Sequence, residues 1–211
     1  MIEKITNLLK LNRKETQKSV YDEINDMFDS LGVDELKITL GEDLTPFGEE
    51  LGRHIRELRR KIKSKTGLII PAVRILDNTD LQENEYQIRI RENIVFTGFT
   101  VPKQDYALNE ITANFEKECI KNVELVMSNE LTEKYMETVQ RNNGWLMCYL
   151  SRLIPTTGIK IILSDLIKNG KSINDISFIF EKICEVATKD RDMYSIRDPH
   201  KIARELKLEL K

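Results

Sequence analysis

Apolar positions recur along the chain with two different periods, and the switch between them organises it. From about Glu15 to Leu31, Val20, Ile24, Met27, Phe28 and Leu31 fall at helical spacing, with Gly32 just beyond as a C-terminal stop. The next apolar set alternates instead: Leu36, Ile38 and Leu40 interleave with polar residues, and "GED" supplies turn chemistry, which predicts a strand and a short return. From about Gly48 to Lys65 the helical period is back, with Phe47, Leu51, Ile55, Leu58 and Ile62 on one stripe. Three strand signals follow, in "TGLIIPAVRIL", in "EYQIRIR" with Tyr86, Ile88 and Ile90 on one side, and in "NIVFTGFTV" after a tight "REN" turn.

Beyond Pro102 strand signals vanish and helical stripes run to the end. A helix is predicted from Leu108 to Met127, with Ile111, Phe115, Cys119 and Ile120 inward, and Ser128 can cap the next one through Tyr135 and Met136. "GWLMCYLSRLIP" packs the single tryptophan into a dense apolar run, which predicts a core segment rather than a ligand-binding box. Thr156 or Thr157 is the expected cap of a helix carrying Ile159, Ile162, Leu163, Leu166 and Ile167, with Gly170 as its stop. Ser172 and Asp175 resemble an acidic capping box that opens a helix with Ile176, Ile179, Phe180, Ile183 and Cys184 inward. From about Pro199 the tail reads as a charged final helix. The predicted class is therefore α+β: residues 1–14 as an arm or linker, 15–104 as a small mixed sheet with helices, and 105–211 as an all-α subdomain.

Composition narrows the function. The 211 residues carry a formal net charge of −2 with a sequence pI near 5.9, so no global attraction to nucleic acid or anionic membrane is expected. Glu3 and Lys4 interrupt the N-terminus where a signal peptide needs an apolar core. No apolar run approaches the roughly 18 residues that span a bilayer. A soluble protein of a reducing compartment, without direct membrane insertion, is the expectation. Cys119, Cys148 and Cys184 are far apart, and His54 and His200 are isolated, so neither zinc, nor a disulfide framework, nor any cofactor is implied. The three cysteines read as small buried hydrophobes. Phosphate-loop, nucleophile-elbow and zinc-protease motifs are absent, and Glu49 and Glu50 suit a helix start rather than acid–base work. Nothing assembles a nucleophile, a base and a charge stabiliser, so no enzyme is expected.

One segment is more specific. "GLIIPAVRILDNTDLQENEYQIRI", Gly67 to Ile90, follows an arginine-rich helix and resembles the signature of the FHIPEP family, the FlhA-type export-gate proteins of flagellar and virulence type III secretion. The matching residues are Pro71, Arg74, Asp77, Asn78, Leu81, Asn84, Glu85, Tyr86 and Ile88. Ala72 and Glu83 stand where the family commonly has proline. Downstream, "ITANFEKECIKNVELVMSNELTEKYMETVQ" and "TTGIKIILSDLIKNGKSINDISFIFEKICEVATKDRD" resemble the family's helical subdomain. The resemblance implies a thioredoxin-like α+β subdomain followed by a helical one, acting through protein contacts: partners in the export apparatus, or self-association into a ring. It also implies a cytoplasmic location, at the inner face of the membrane through a partner. It assigns Arg74, Asp77, Asn78, Leu81, Asn84, Glu85 and Tyr86 a structural or contact role. Three family features have no counterpart here: the transmembrane half, a C-terminal subdomain, and a ferredoxin-like insert, for which only about ten residues stand between "IVFTGFTV" and "NEITANF". Two other readings share the fold: a repurposed module binding nucleic acid through Arg56, Arg59, Arg60 and Lys63 on the basic helix 54–65, or an inactive gene fragment. The first lacks interleaved aromatics for base stacking.

Overall fold

In a computed structural model, residues 35–189 and 198–210 are described; the helix expected over Glu15–Leu31 lies outside them. Four strands form one sheet in the order β2-β1-β3-β4: β1 Leu36–Leu40, β2 Val73–Asp77, β3 Glu85–Ile90 and β4 Asn93–Phe99. β1 runs parallel to β2, whereas β1–β3 and β3–β4 are antiparallel. A parallel pair needs a crossover. It is supplied by a 3₁₀ turn, Glu42–Phe47, and by helix α1, Gly48–Thr66. The chain after β1 therefore does not return as a hairpin: Glu42 and Asp43 favour the start of a helical turn, and α1 then carries the chain to the far edge of the sheet.

α1 keeps the predicted stripe. Leu51, Ile55, Leu58 and Ile62 are buried, and Glu49 and Glu50 occupy its first turn. Together with α2, Gln104–Lys121, it covers the sheet face formed by Leu36, Ile38, Leu40, Tyr86, Ile88 and Ile90. The predicted Leu108–Met127 helix starts earlier and breaks. Asn122 leaves helical geometry and turns its amide onto the Glu118 carbonyl and carboxylate, at 2.9 and 3.0 Å, before a single turn, α3, Val123–Val126.

The remaining helices pack around α6, Thr156–Lys168, which buries all five predicted aliphatics, Ile159, Ile162, Leu163, Leu166 and Ile167. Each contributes about 1.5–3 kcal/mol relative to exposure. α4, Asn129–Gln140, α7, Ile176–Lys189, and α8, Pro199–Glu209, contact it or one another. Ser128 caps α4 as expected, its Oγ accepting from Leu131 N–H at 3.0 Å. α6 has no side-chain cap, because Thr156 is already helical and Pro155 holds the cap position. Asp175 caps α7 through Phe178 N–H at 3.1 Å, while Ser172 Oγ instead accepts from Asn174 N–H.

α5, Gly144–Leu153, corrects two expectations. Trp145 is 76% exposed, stacked on Tyr149 with ring centroids 5.5 Å apart, and Cys148 is exposed, whereas Cys119 and Cys184 are buried. The helix buries Leu146, Met147 and Leu150, and that phase rotates positions 145 and 148 outward. No single helix among the described residues is long and apolar enough to cross a membrane.

The two kinds of layer meet at the end of α1. Gly67 terminates the helix at φ +81°, and a Cβ there would lie 2.7 Å from Asn174 N and Ile173 C. Tyr135 of α4 donates its hydroxyl to Gly67 O and accepts from Ile69 N–H, both at 2.8 Å. Ile173 N–H donates to Thr66 O, and the Asn174 amide to Ser64 O. Burial pushes the Tyr135 phenol up to about 12, even though its hydrogen bond from Ile69 opposes the rise.

Tyr135→Phe is expected to lower unfolding free energy by about 1–3 kcal/mol in urea titration, since it strands the buried Gly67 carbonyl and removes the acceptor of the part-buried Ile69 amide. The pH dependence has a definite sign. The folded phenol holds its proton more tightly than the unfolded one, so its contribution is intact below about pH 10 and is lost as pH rises toward 12. Stability of the parent chain should therefore fall more steeply across that interval than that of Tyr135→Phe, read by denaturation at stepped pH.

Candidate interaction surfaces

The signature segment is a built loop joining β2 to β3. Asn78 N–H donates to Leu40 O at 2.9 Å, its Oδ1 accepts from Asp80 N–H at 2.9 Å, and its carbonyl accepts from Leu81 N–H at 3.2 Å. This is the local turn chemistry that Asn offers. Asn84 O accepts from Thr100 N–H at 3.1 Å, and Glu85 O from Gly41 N–H at 2.8 Å, while the Glu85 carboxylate accepts from Gln82 N–H at 3.1 Å. Gly41 is required by this approach: a Cβ would stand 2.0 Å from Gln82 O.

Tyr86 points the opposite way, into the core. Its ring lies 5.7 Å from that of Phe96, and its hydroxyl accepts from Asn114 Nδ2 of α2 at 2.7 Å. Burial raises the phenol pKa, partly offset by that hydrogen bond. Arg74 stands on β2 in register with Lys37, and Asp77 and Asn78 line a cleft of about 350 Å³ with Glu42, Thr45, Pro46 and Thr79. Arg74 and Asp77 are exposed, Tyr86 is buried, and Asn78, Asn84 and Glu85 make the hydrogen bonds that hold the loop. Sequence reasoning missed Asn114 and Tyr135, whose partners lie 28 and 66 to 68 positions away. No local pattern signals such pairs.

The basic residues of α1 form a second surface. Arg56, Arg59, Arg60 and Lys63 line an open groove of about 380 Å³ with Ile69 and Ile70. Arg59 is committed to the fold, its Nε donating to Ile70 O at 2.9 Å. Arg56, Arg60 and Lys63 are exposed and make no ion pair among the described residues, and Ile69 beside them is 45% exposed. Among the described residues the groove's lining includes no aromatic side chain, so it offers cations and an aliphatic contact but no stacking platform for a base. No group of three or more His, Cys, Asp or Glu residues placed to hold a metal occurs among the described residues.

The family model described as "FHIPEP family" matches residues 4–128, more than half of the chain. This chain belongs to the FHIPEP family. Among characterised relatives, it is 43% identical over 68 residues to the flagellar biosynthesis protein FlhA of Caulobacter vibrioides, a match covering 30% of the chain and 10% of that protein. To FlhA of Helicobacter pylori it is 26% identical over 224 aligned positions, covering 82% of the chain and 30% of that protein. Solved structures share the fold. The Chlamydia pneumoniae CdsV–CdsO complex superimposes with a TM-score of 0.69 at 16% identity, over 82% of this chain and 64% of the solved one. Nonameric SctV-C from EPEC gives 0.65 at 15%, over 82% and 64%. The chain spans less than a third of these FlhA proteins and under two thirds of the solved domains. The family's α+β arrangement, a small mixed sheet followed by helices, is the one described above.

Tyr86→Phe is expected to cost about 1 kcal/mol through the lost Asn114 bond, and Tyr86→Ala about 3–5 kcal/mol through the cavity, measured by urea denaturation. Asn78→Ala should cost no more than about 0.5–1 kcal/mol, since the Asp80 amide it releases is exposed to water.

Proposed function

We propose that this FHIPEP member is a non-catalytic interaction module of a flagellar or type III export system, binding cytoplasmic domains of the export gate as an accessory or regulator. The observation that supports this reading is the superposition, over 82% of the chain, on domains of which one is solved as a nonamer and another in a protein complex. Function follows from surface here. The described side chains form stabilising pairs such as Tyr86–Asn114 and Lys61–Glu116, and the open surfaces present charge and aliphatic contact rather than converging reactive groups. Its place is the cytoplasm, at the membrane only through a partner, and its organisation an α+β part to about residue 104 followed by a helical part.

The groove of Arg56, Arg60, Lys63 and Ile69 is the contact surface in this reading. Three exposed cations that make no ion pair among the described residues, beside an exposed aliphatic side chain, suit an acidic, partly apolar protein surface, and long-range attraction speeds such encounters at low salt. Signature residues Arg74, Asp77, Asn78, Leu81, Asn84, Glu85 and Tyr86 serve mainly to shape the β2–β3 loop, with Asp77 and Asn78 available as secondary contacts.

The test is direct mixing of the purified chain with the cytoplasmic domain of the export-gate protein from the same organism, followed by light scattering after size exclusion. Co-elution is expected, weakening with added salt. Arg56→Glu/Arg60→Glu/Lys63→Glu should weaken it at least about tenfold, or about 1.4 kcal/mol, with unchanged circular dichroism. Absence of co-elution by the parent chain at low salt would overturn the reading. A labelled DNA duplex serves as the second arm, since a salt-dependent shift lost in the triple variant would move the groove to nucleic acid instead.

A further inference from the structure

The groove beside α1 is lined by donors without a carboxylate. Its described walls are Arg56, Arg59, Arg60, Lys63, Ile69 and Ile70. Along the helix each of the four cations has another three or four residues away, and like charges at that spacing destabilise a helix. Elsewhere on α1 cations are answered within the fold: Arg53 pairs with Glu50 at 2.7 Å and Lys61 with Glu116 at 3.1 Å. Arg56, Arg60 and Lys63 have no such carboxylate among the described residues.

The facing wall adds a donor of another kind. Ile70 is 1% exposed, with its side chain in the core, and the proline that follows it favours an extended backbone. In extended chain the N–H and C=O of one residue point the same way. Ile70 O accepts from Arg59 Nε at 2.9 Å, so Ile70 N–H faces α1 as well. The two amides before it are bonded, Leu68 to Thr66 Oγ1 and Ile69 to the Tyr135 hydroxyl, whereas Ile70 N–H has no partner among the described residues. A buried amide in that state is rare in a folded chain and calls for an acceptor. Arg59, which joins the two walls, gives Ile70 one of its five N–H donors.

We propose that the groove takes an extended acidic segment of a protein partner, one carboxylate of which seats on Ile70 N–H and the Arg59 guanidinium. From Arg56 to Lys63 the row of cations is about 10 Å long. An extended chain sets alternate side chains on one face about 6.5–7 Å apart, so carboxylates at i and i+2 fit along that row. The residue between them turns to the other wall, where Ile69 is 45% exposed and suits an aliphatic side chain. The occupant is therefore an alternating acidic and aliphatic sequence, and a lone inorganic anion would leave Ile69 and most of the 380 Å³ unused. This rests on the reading of the groove as a contact surface and specifies what it contacts.

The full chain, labelled with ¹⁵N, is titrated at low salt with three probes: the blocked peptide Glu-Leu-Glu-Leu-Glu, its Gln-Leu-Gln-Leu-Gln counterpart, and inorganic phosphate. The acidic peptide is expected to move the Ile70 amide resonance downfield in a saturable way and to slow its hydrogen exchange, and the glutamine peptide to leave it in place. Arg56→Gln/Arg60→Gln should weaken the acidic peptide at least about tenfold, and Ile69→Ser by a smaller factor, both with unchanged circular dichroism. An Ile70 resonance unmoved by the acidic peptide, equal binding of the glutamine peptide, or phosphate binding as tightly as the acidic peptide would each overturn the proposal. Because the probes are synthetic, failure of the chain to co-elute with an export-gate domain would sink the export reading and leave this result standing.

Discussion

The junction at Gly67 is the constraint on which the described fold rests. α1 must stop there so that Leu68 and Ile70 can enter the core on the way to β2, and only a residue tolerant of positive φ can make that stop against the Ile173–Asn174 backbone. One phenol then satisfies two main-chain groups of the departing segment. The crossover between β1 and β2 and the packing of the helices around α6 therefore share a single set of hydrogen bonds, with the Tyr135–Gly67 bond buried at its centre. A buried polar cluster of this kind is valuable because every member is paired, and costly when one is not. Exposed ion pairs such as Lys61–Glu116 add little by comparison.

Once that junction is fixed, the surfaces follow from it. The C-terminal half of α1 presents Arg56, Arg60 and Lys63 on the side turned away from its aliphatic stripe, and Arg59 is drawn in by the Ile70 carbonyl at the start of the next segment. The groove is thus a by-product of how the helix ends. At the opposite edge of the sheet, a four-residue passage leads from β4 to α2.

Some of this was legible in the residue pattern. The stripe Leu51, Ile55, Leu58, Ile62 and the five aliphatics of α6 went inward as expected, because a 3.6-residue period with polar residues between leaves a helix one way to face. Tyr86, Ile88 and Ile90 did so for the corresponding reason in a strand. The cap at Ser128 is local chemistry and was equally visible, whereas the cap of α7 falls on Asp175 itself rather than on Ser172. Trp145 and Cys148 were misjudged because in a run as apolar as "WLMCYL" the pattern no longer says which face is buried.

The sequence by itself determined the element types, most of the core and, through Asp77, Asn78 and Tyr86 in their order, the family. Those depend on neighbours within a turn or a strand. Only the tertiary structure decided that β1 pairs in parallel with β2, that Tyr86 bonds Asn114, that Tyr135 holds the end of α1, and that one cation of the basic helix is spent on the fold. Each of these joins groups brought together by the path of the chain through space, and a one-dimensional period carries no information about which distant carbonyl or hydroxyl arrives at a given side chain.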